Sequence, residues 1–188
     1  MIHEDLMFAL IEFIKSVDTA RKMYMEKNDL ALLPSGFASQ EGLVLKHGNA
    51  MPVSDFRVHR GPMKKCFMNA QKLMTHNRSL PSRGRRVMKV FRYCEGYAIK
   101  DGLPFPVLHA WCIDEDGAVV DPTWQPTKRQ VDKGLAPRVG YFGIVFKDEY
   151  VWNRQLVTER YTSLIDDYPT FPLLTERGLL KKVTLEYR

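Results

Sequence analysis

Strand-forming residues crowd together between Val87 and Phe146, and one run among them constrains the fold most. Pro106-Val107-Leu108-His109-Ala110-Trp111-Cys112-Ile113 enters the acidic turn Asp114-Glu115-Asp116-Gly117 and returns through Ala118-Val119-Val120-Asp121, where Pro122 stops it. An alternating run, a turn ending in Gly and a second apolar run read as an antiparallel hairpin. Counted outward from a Glu115-Asp116 tip, Asp114 faces Gly117, Ile113 faces Ala118 and His109 faces Pro122, beside Asp121. A bulge or a longer loop would bring His109 and Asp121 into direct register.

The remaining elements place helices before these strands. Leu6, Leu10, Phe13, Ile14 and Val17 recur at three- and four-residue steps, which predicts an amphipathic helix over residues 4–28. The stretch from Leu33 to Pro52 reads as irregular or short extended structure around Leu43-Val44-Leu45. Good helix formers from Lys64 to His76 follow the breakers Gly61-Pro62. Val87–Cys94 and Tyr97–Ile99 read as strands; after the hairpin come a polar loop over 125–138, a strand at Tyr141–Phe146, a helix over 148–162 and a last strand at Leu179–Tyr187. This order is α+β, and the whole chain, 1–188, reads as one domain. At 21.8 kDa with 45% hydrophobic residues, about 70% of the unfolded surface can be buried, so no disulfide or metal staple is required.

Cys66, Cys94 and Cys112 are odd in number and form no CxxC pair, so neither a disulfide framework nor a zinc knuckle is expected, and no metal or cofactor. A reducing, cytoplasmic setting fits them. Early acids in Met1-Ile2-His3-Glu4-Asp5 do not resemble a signal peptide, and no apolar run is long enough for a membrane span. The net charge of +6 is mild, but residues 71–93 contain no acid and include Arg83, Arg85 and Arg86. That segment reads either as a solvated loop or as a docking site for nucleic acid or another polyanion.

A thiol becomes a nucleophile when a helix N-terminus, nearby cations or a paired imidazole holds it as thiolate. Cys66 follows Lys64 and Lys65 near a helix start, provided that helix begins close to Lys65. His109 could take its proton, and Asp121 could orient the ring. Each residue alone has a plain alternative: a core thiol, a satisfied interior His and a turn cap.

Taken in order, Cys66, then Glu95-Gly96-Tyr97-Ala98, then His109-Ala110-Trp111, then Val120-Asp121-Pro122-Thr123 resembles the core of transglutaminase-like proteins within the papain-like cysteine-enzyme superfamily. The resemblance spans residues 64–124. It implies a nucleophile helix packed on an antiparallel sheet, with Cys66 as nucleophile, His109 as general base and acid, and Asp121 as orienting carboxylate. The implied chemistry is attack on an amide or ester carbonyl of a protein, peptide or other amide substrate, through a thioester. Cys66-Phe67-Met68-Asn69-Ala70 lacks the Gly-x-Cys and Trp neighbours common in transglutaminases, which leaves open whether water or an amine resolves the thioester. A catalytically inactive binding module that uses segment 71–93 is the reading from a different class.

An oxyanion hole would combine the Cys66 N–H with a side-chain donor, for which Gln40, Asn49 and Asn69 are candidates, Gln40 first by the same resemblance. Glu95 could face the cleft and bind substrate, replace Asp121 as the partner of His109, or sit as a strand-edge surface acid. Trp111 and Trp124 could line an acyl groove, although Trp111 shares the face of His109 and is suited to the core. Cys94 and Cys112, among bulky strand residues, read as packing thiols.

Overall fold

A computed structural model describes residues 2–76 and 90–186. Within them the elements run α1 (Glu4–Lys27), α2 (Gln40–His47), β1 (Asn49–Ala50), α3 (Cys66–His76), β2 (Arg92–Lys100), β3 (Val107–Ile113), β4 (Val119–Val120), α4 (Lys128–Asp132), β5 (Val139–Val145), α5 (Asp148–Thr158), α6 (Pro172–Thr175) and α7 (Leu179–Val183). The strands form one sheet in the order β1-β5-β2-β3-β4, with every neighbouring pair antiparallel. The chain is thus mixed α and β, with helices before and after an antiparallel sheet. Among the described residues no helix is long and apolar enough to cross a membrane.

Alternation along β2 and β3 sorts the core into two layers. Tyr93, Tyr97, Ala110 and Cys112 join Leu10 and Ile14 of α1, Leu43 and Val44 of α2, and Ala70 and Met74 of α3 in one buried cluster. Cys94, Ala98, Trp111 and Ile113 pack with Met51, Val119, Tyr141 and Val145 in the other. Gly143 of β5 lets the two strands and a ring close up: a Cβ there would stand 2.6 Å from the Glu95 carbonyl oxygen and 2.7 Å from the Trp111 indole. Neither neighbour is a flexible side-chain end, so Gly143→Ala is expected to destabilise by about 2–3 kcal/mol, read as a lower urea midpoint at unchanged m-value.

The hairpin forms one residue out of the expected register. Cys112 faces Val120 and Ile113 faces Val119, which leaves three residues between Asp114 and Ala118. The cause is Asp114 itself: Oδ1 accepts the N–H groups of Asp116 and Ala118 at 3.1 and 2.9 Å, and Oδ2 accepts the Ser54 hydroxyl at 2.8 Å. This side-chain bonding widens the turn beyond two residues.

Three further expectations are corrected. Residues 40–47 are helical, because the Ser39 hydroxyl caps the N-terminus by accepting the Gly42 N–H, and Leu43 and Val44 reach the core. Residues 179–183 form a helix where a strand was expected, since Leu180 and Val183, three apart, both bury. Beyond it Thr184 bridges Phe146, and the Leu185 N–H donates to the Val145 carbonyl. Within the polar loop 125–138, Thr127 and Gln130 form a reciprocal capping box that starts α4. The expected strand 87–94 and helices 4–28, 64–76 and 148–162 appear as β2, which runs unbroken to Lys100, and as α1, α3 and α5 with shifted ends; residues 87–89 lie outside the described residues.

Candidate active site

The helix that carries Cys66 starts abruptly. Lys64 adopts a left-handed conformation, φ 62°, and the Lys65 carbonyl accepts the first helical bond, from the Asn69 N–H at 2.8 Å. Cys66 is therefore the first residue of α3, two positions nearer the helix start than a helix beginning at Lys64 would have it, and its N–H is among those an α-helix leaves without an intrahelical partner. Its side chain is half-buried, whereas Cys94 and Cys112 are wholly buried. Burial pushes both of those thiols well above the ordinary thiol range.

His109 and Asp121 meet beneath Cys66. His109 Nε2 and Asp121 Oδ2 are 2.8 Å apart, with both side chains about 3% exposed. Asp121 accepts three more bonds: from the Tyr141 hydroxyl at 2.8 Å, and from the N–H groups of Thr123 and Trp124 at 2.7 and 3.0 Å. Burial pushes its carboxyl up, but the His109 charge and hydrogen bond, together with those N–H groups, outweigh burial and hold it below the usual carboxylate range. With Nε2 engaged, Nδ1 is the nitrogen left to the thiol, and Cys66 stands close enough to His109 to help raise its pKa. The Trp124 ring stacks on the imidazole at 3.9 Å between centroids and 16° between planes, and Lys100 Nζ lies 5.1 Å above the indole.

A set of bonds seats α3 against the Asp121 turn. Asn69, one turn after Cys66, donates through Nδ2 to the Pro62 carbonyl at 2.8 Å and to Thr123 Oγ1 at 2.9 Å. The Gly61 N–H donates to the Pro122 carbonyl at 2.7 Å, and Arg60 Nε to the Thr123 carbonyl at 3.1 Å. A Cβ on Gly61 would fall 2.2 Å from Asn69 Oδ1, so glycine is what admits the amide here. β4 pairs with Cys112 and Ile113 on one side and bridges Val53 on the other, and the chain beyond it leaves the sheet to make this junction.

Burial lowers the tendency of His109 to hold a proton, but the Asp121 charge and hydrogen bond, joined by Cys66, outweigh that and raise its pKa to about 9. The protonated ring thus stabilises the fold below the unfolded value of about 6.5, and that contribution is lost as pH rises through 9. Stability is expected to fall by about 3 kcal/mol across this window. Urea titrations at several pH values check this, and Asp121→Asn should flatten the decline.

The other expected site residues stand elsewhere. Gln40 Nε2 donates to Asp166 Oδ1 at 2.9 Å, and Gln40 lines a groove with Val17, Tyr24 and Phe171 whose lining does not include Cys66. Asn69 has its amide committed to the junction, and Asn49 sits in β1 opposite Gly143. Glu95 is neither a cleft residue nor a surface acid: it is 0% exposed in a central strand and accepts from Tyr93, Ser163 and the N–H groups of Leu164 and Ile165. Trp111 is equally buried, with Nε1 directed at Met51 Sδ at 3.3 Å, and so cannot touch a substrate. Arg83, Arg85 and Arg86 lie outside the described residues.

Two contributors were missed from sequence. Tyr141 is 20 residues from the carboxylate it binds, with no motif to link them. Thr123 belonged to the Asp-Pro-Thr element, but only the fold shows its N–H donating to Asp121 and its hydroxyl accepting from Asn69. Among the described residues no His, Cys, Asp and Glu side chains group into an arrangement that could hold a metal ion. No protein-family model, curated protein or solved structure matches the chain.

Proposed function

We propose that this chain is a thiol-dependent acyl-transfer enzyme of transglutaminase-like, papain-like type that hydrolyses an amide or peptide bond in the cytoplasm. One observation carries the reading: a half-buried thiol at a helix start interacts with a buried imidazole whose far nitrogen is held by a saturated carboxylate. Orienter, base and nucleophile in that order are what covalent acyl transfer requires.

In this reading Cys66 Sγ, as thiolate, bonds to the substrate carbonyl carbon. The charge that develops on oxygen meets the free N–H groups at the start of α3, those of Cys66 and Phe67. Collapse breaks the C–N bond while His109 gives its Nδ1 proton to the departing amine. Water then loses a proton to His109 and adds to the thioester carbon. Breaking the C–S bond releases a carboxylic acid and restores the thiolate–imidazolium pair.

The test uses the three cysteines as internal controls. At neutral pH iodoacetamide is expected to label Cys66 while Cys94 and Cys112 stay protected in the folded protein, as read by peptide mass spectrometry. His109→Ala should slow Cys66 at least about tenfold. If Cys66 is as slow as the buried thiols, or indifferent to His109, the enzyme reading fails and a non-catalytic binding module takes its place.

A further inference from the structure

One flank of α3 carries a groove of about 580 Å³ whose lining on that helix begins at Met68 and Asn69, two and three residues after Cys66. Gly61, Pro62, Asn69 and Pro122, the junction residues, form its near end, and His76 its far end. From Cys66 to His76 the helix rises about 15 Å, the span of four to five residues of extended chain. Val58, Met68 and Leu73 supply an apolar wall.

The charged groups that line this groove, Arg60 and Lys72, are both cationic, and among the described residues no Asp or Glu lines it. Lys72 is exposed, with Nζ 5.4 Å from the centroid of the Tyr161 ring. A groove with an apolar wall and a cationic rim favours a ligand that is apolar on one side and acidic on the other. Among the described residues no Phe, Tyr or Trp lines the groove, whereas single-stranded nucleic acid stacks its bases on such rings.

We infer that this groove binds an acidic polypeptide segment of four to five residues with alternating apolar side chains, directly beside the amide presented to Cys66. The inference rests on Cys66 being the nucleophile, and it assigns the substrate class: acidic peptides. The segment lies extended along α3, with apolar side chains against Val58 and Leu73 and carboxylates toward Lys72 and Arg60.

The test measures binding and chemistry separately. Fluorescein-labelled pentapeptides alternating Leu with Glu, with Gln or with Lys, and a five-nucleotide oligothymidylate, are titrated by anisotropy into the full chain carrying Cys66→Ala. The Glu peptide is expected to bind about tenfold tighter than the Lys peptide, weakening with salt. Lys72→Glu, at an exposed position, should erase that preference, and Lys72→Gln should halve it or more. In the chain with Cys66 intact, the Glu peptide should slow iodoacetamide labelling of Cys66. Equal binding of the three peptides, an unmoved preference in Lys72→Glu, preferred binding of the oligonucleotide, or binding without protection of Cys66 would each overturn the assignment. Labelling of Cys66 without peptide reads the nucleophile alone. A fast thiol with no peptide preference therefore refutes the groove only, and a slow thiol with a clear preference refutes the catalytic reading on which the substrate assignment rests.

Discussion

His109→Ala is expected to cut acyl transfer to Cys66 from p-nitrophenyl acetate, and amide hydrolysis, by about 10⁴-fold. Cys66→Ala should do the same, and the double variant should be no worse than either single one, because nucleophile and base act as a unit. Asp121→Asn should fall in the same range for a different reason. An amide at position 121 can still accept from Thr123 and Trp124, but its NH₂ would meet His109 Nε2, which now faces a carboxylate oxygen at 2.8 Å. Nε2 must then accept, the ring proton moves to Nδ1, and the imidazole can no longer take the thiol proton. Stopped-flow release of nitrophenolate, with mass spectrometry for one acetyl group on Cys66, measures all three. A His109→Ala protein that keeps more than a tenth of the wild-type rate would sink the triad.

The largest effect on stability is expected at Glu95. Its carboxylate, 0% exposed, ties β2 to residues 163–165, far along the chain, through the Ser163 hydroxyl, the Leu164 N–H at 2.7 Å and the Ile165 N–H at 3.1 Å. Tyr93 adds its hydroxyl at 2.8 Å. Glu95→Ala leaves four buried donors without an acceptor and a cavity among them, for an expected loss of about 4–5 kcal/mol. That is a large part of the stability a domain of this size has. Burial raises the carboxyl to about 7, against the lowering effect of those same four donors. The folded state therefore holds a proton that the unfolded chain releases near 4.5, so this contribution is full below 4.5 and lost as pH rises through 7. In Glu95→Gln the decline in stability between pH 4.5 and 7 should disappear, while the decline tied to His109 between 6.5 and 9 remains. Guanidinium titrations across pH separate the two, and an unchanged lower phase in Glu95→Gln would assign it to another group.

The hairpin, the helix that carries Cys66 and the pairing of His109 with Asp121 were legible because each rests on a local pattern. Alternation sets which face His109 and Trp111 share, and Pro122 stops the returning strand just past Asp121. The register of that hairpin was not legible, because the Asp114 carboxylate competes for the turn's own N–H groups and Ser54 holds it from 60 residues away. Helices α2 and α7 were missed for a related reason. Short apolar runs such as Leu43-Val44-Leu45 suit strand or helix equally, and only a cap at Ser39 or the burial of Leu180 and Val183 decides between them.

Gln40, Glu95 and Trp111 show where local reasoning stops. A polar or aromatic side chain near a motif reads alike whether it turns to a cleft or into the core, since sequence encodes the face of an element but not what packs on that face. The fold committed Gln40 to Asp166, Glu95 to the 163–165 segment and Trp111 to Met51. It also recruited Tyr141 and Asn69 to hold Asp121 and α3 in place. The sequence by itself determined which strands and which helix carry Cys66, His109 and Asp121, through periodicity and turn chemistry. Only the tertiary structure decided their partners, because a buried polar group must bond to whatever donor or acceptor packing brings within about 3 Å, and that depends on residues remote in the chain.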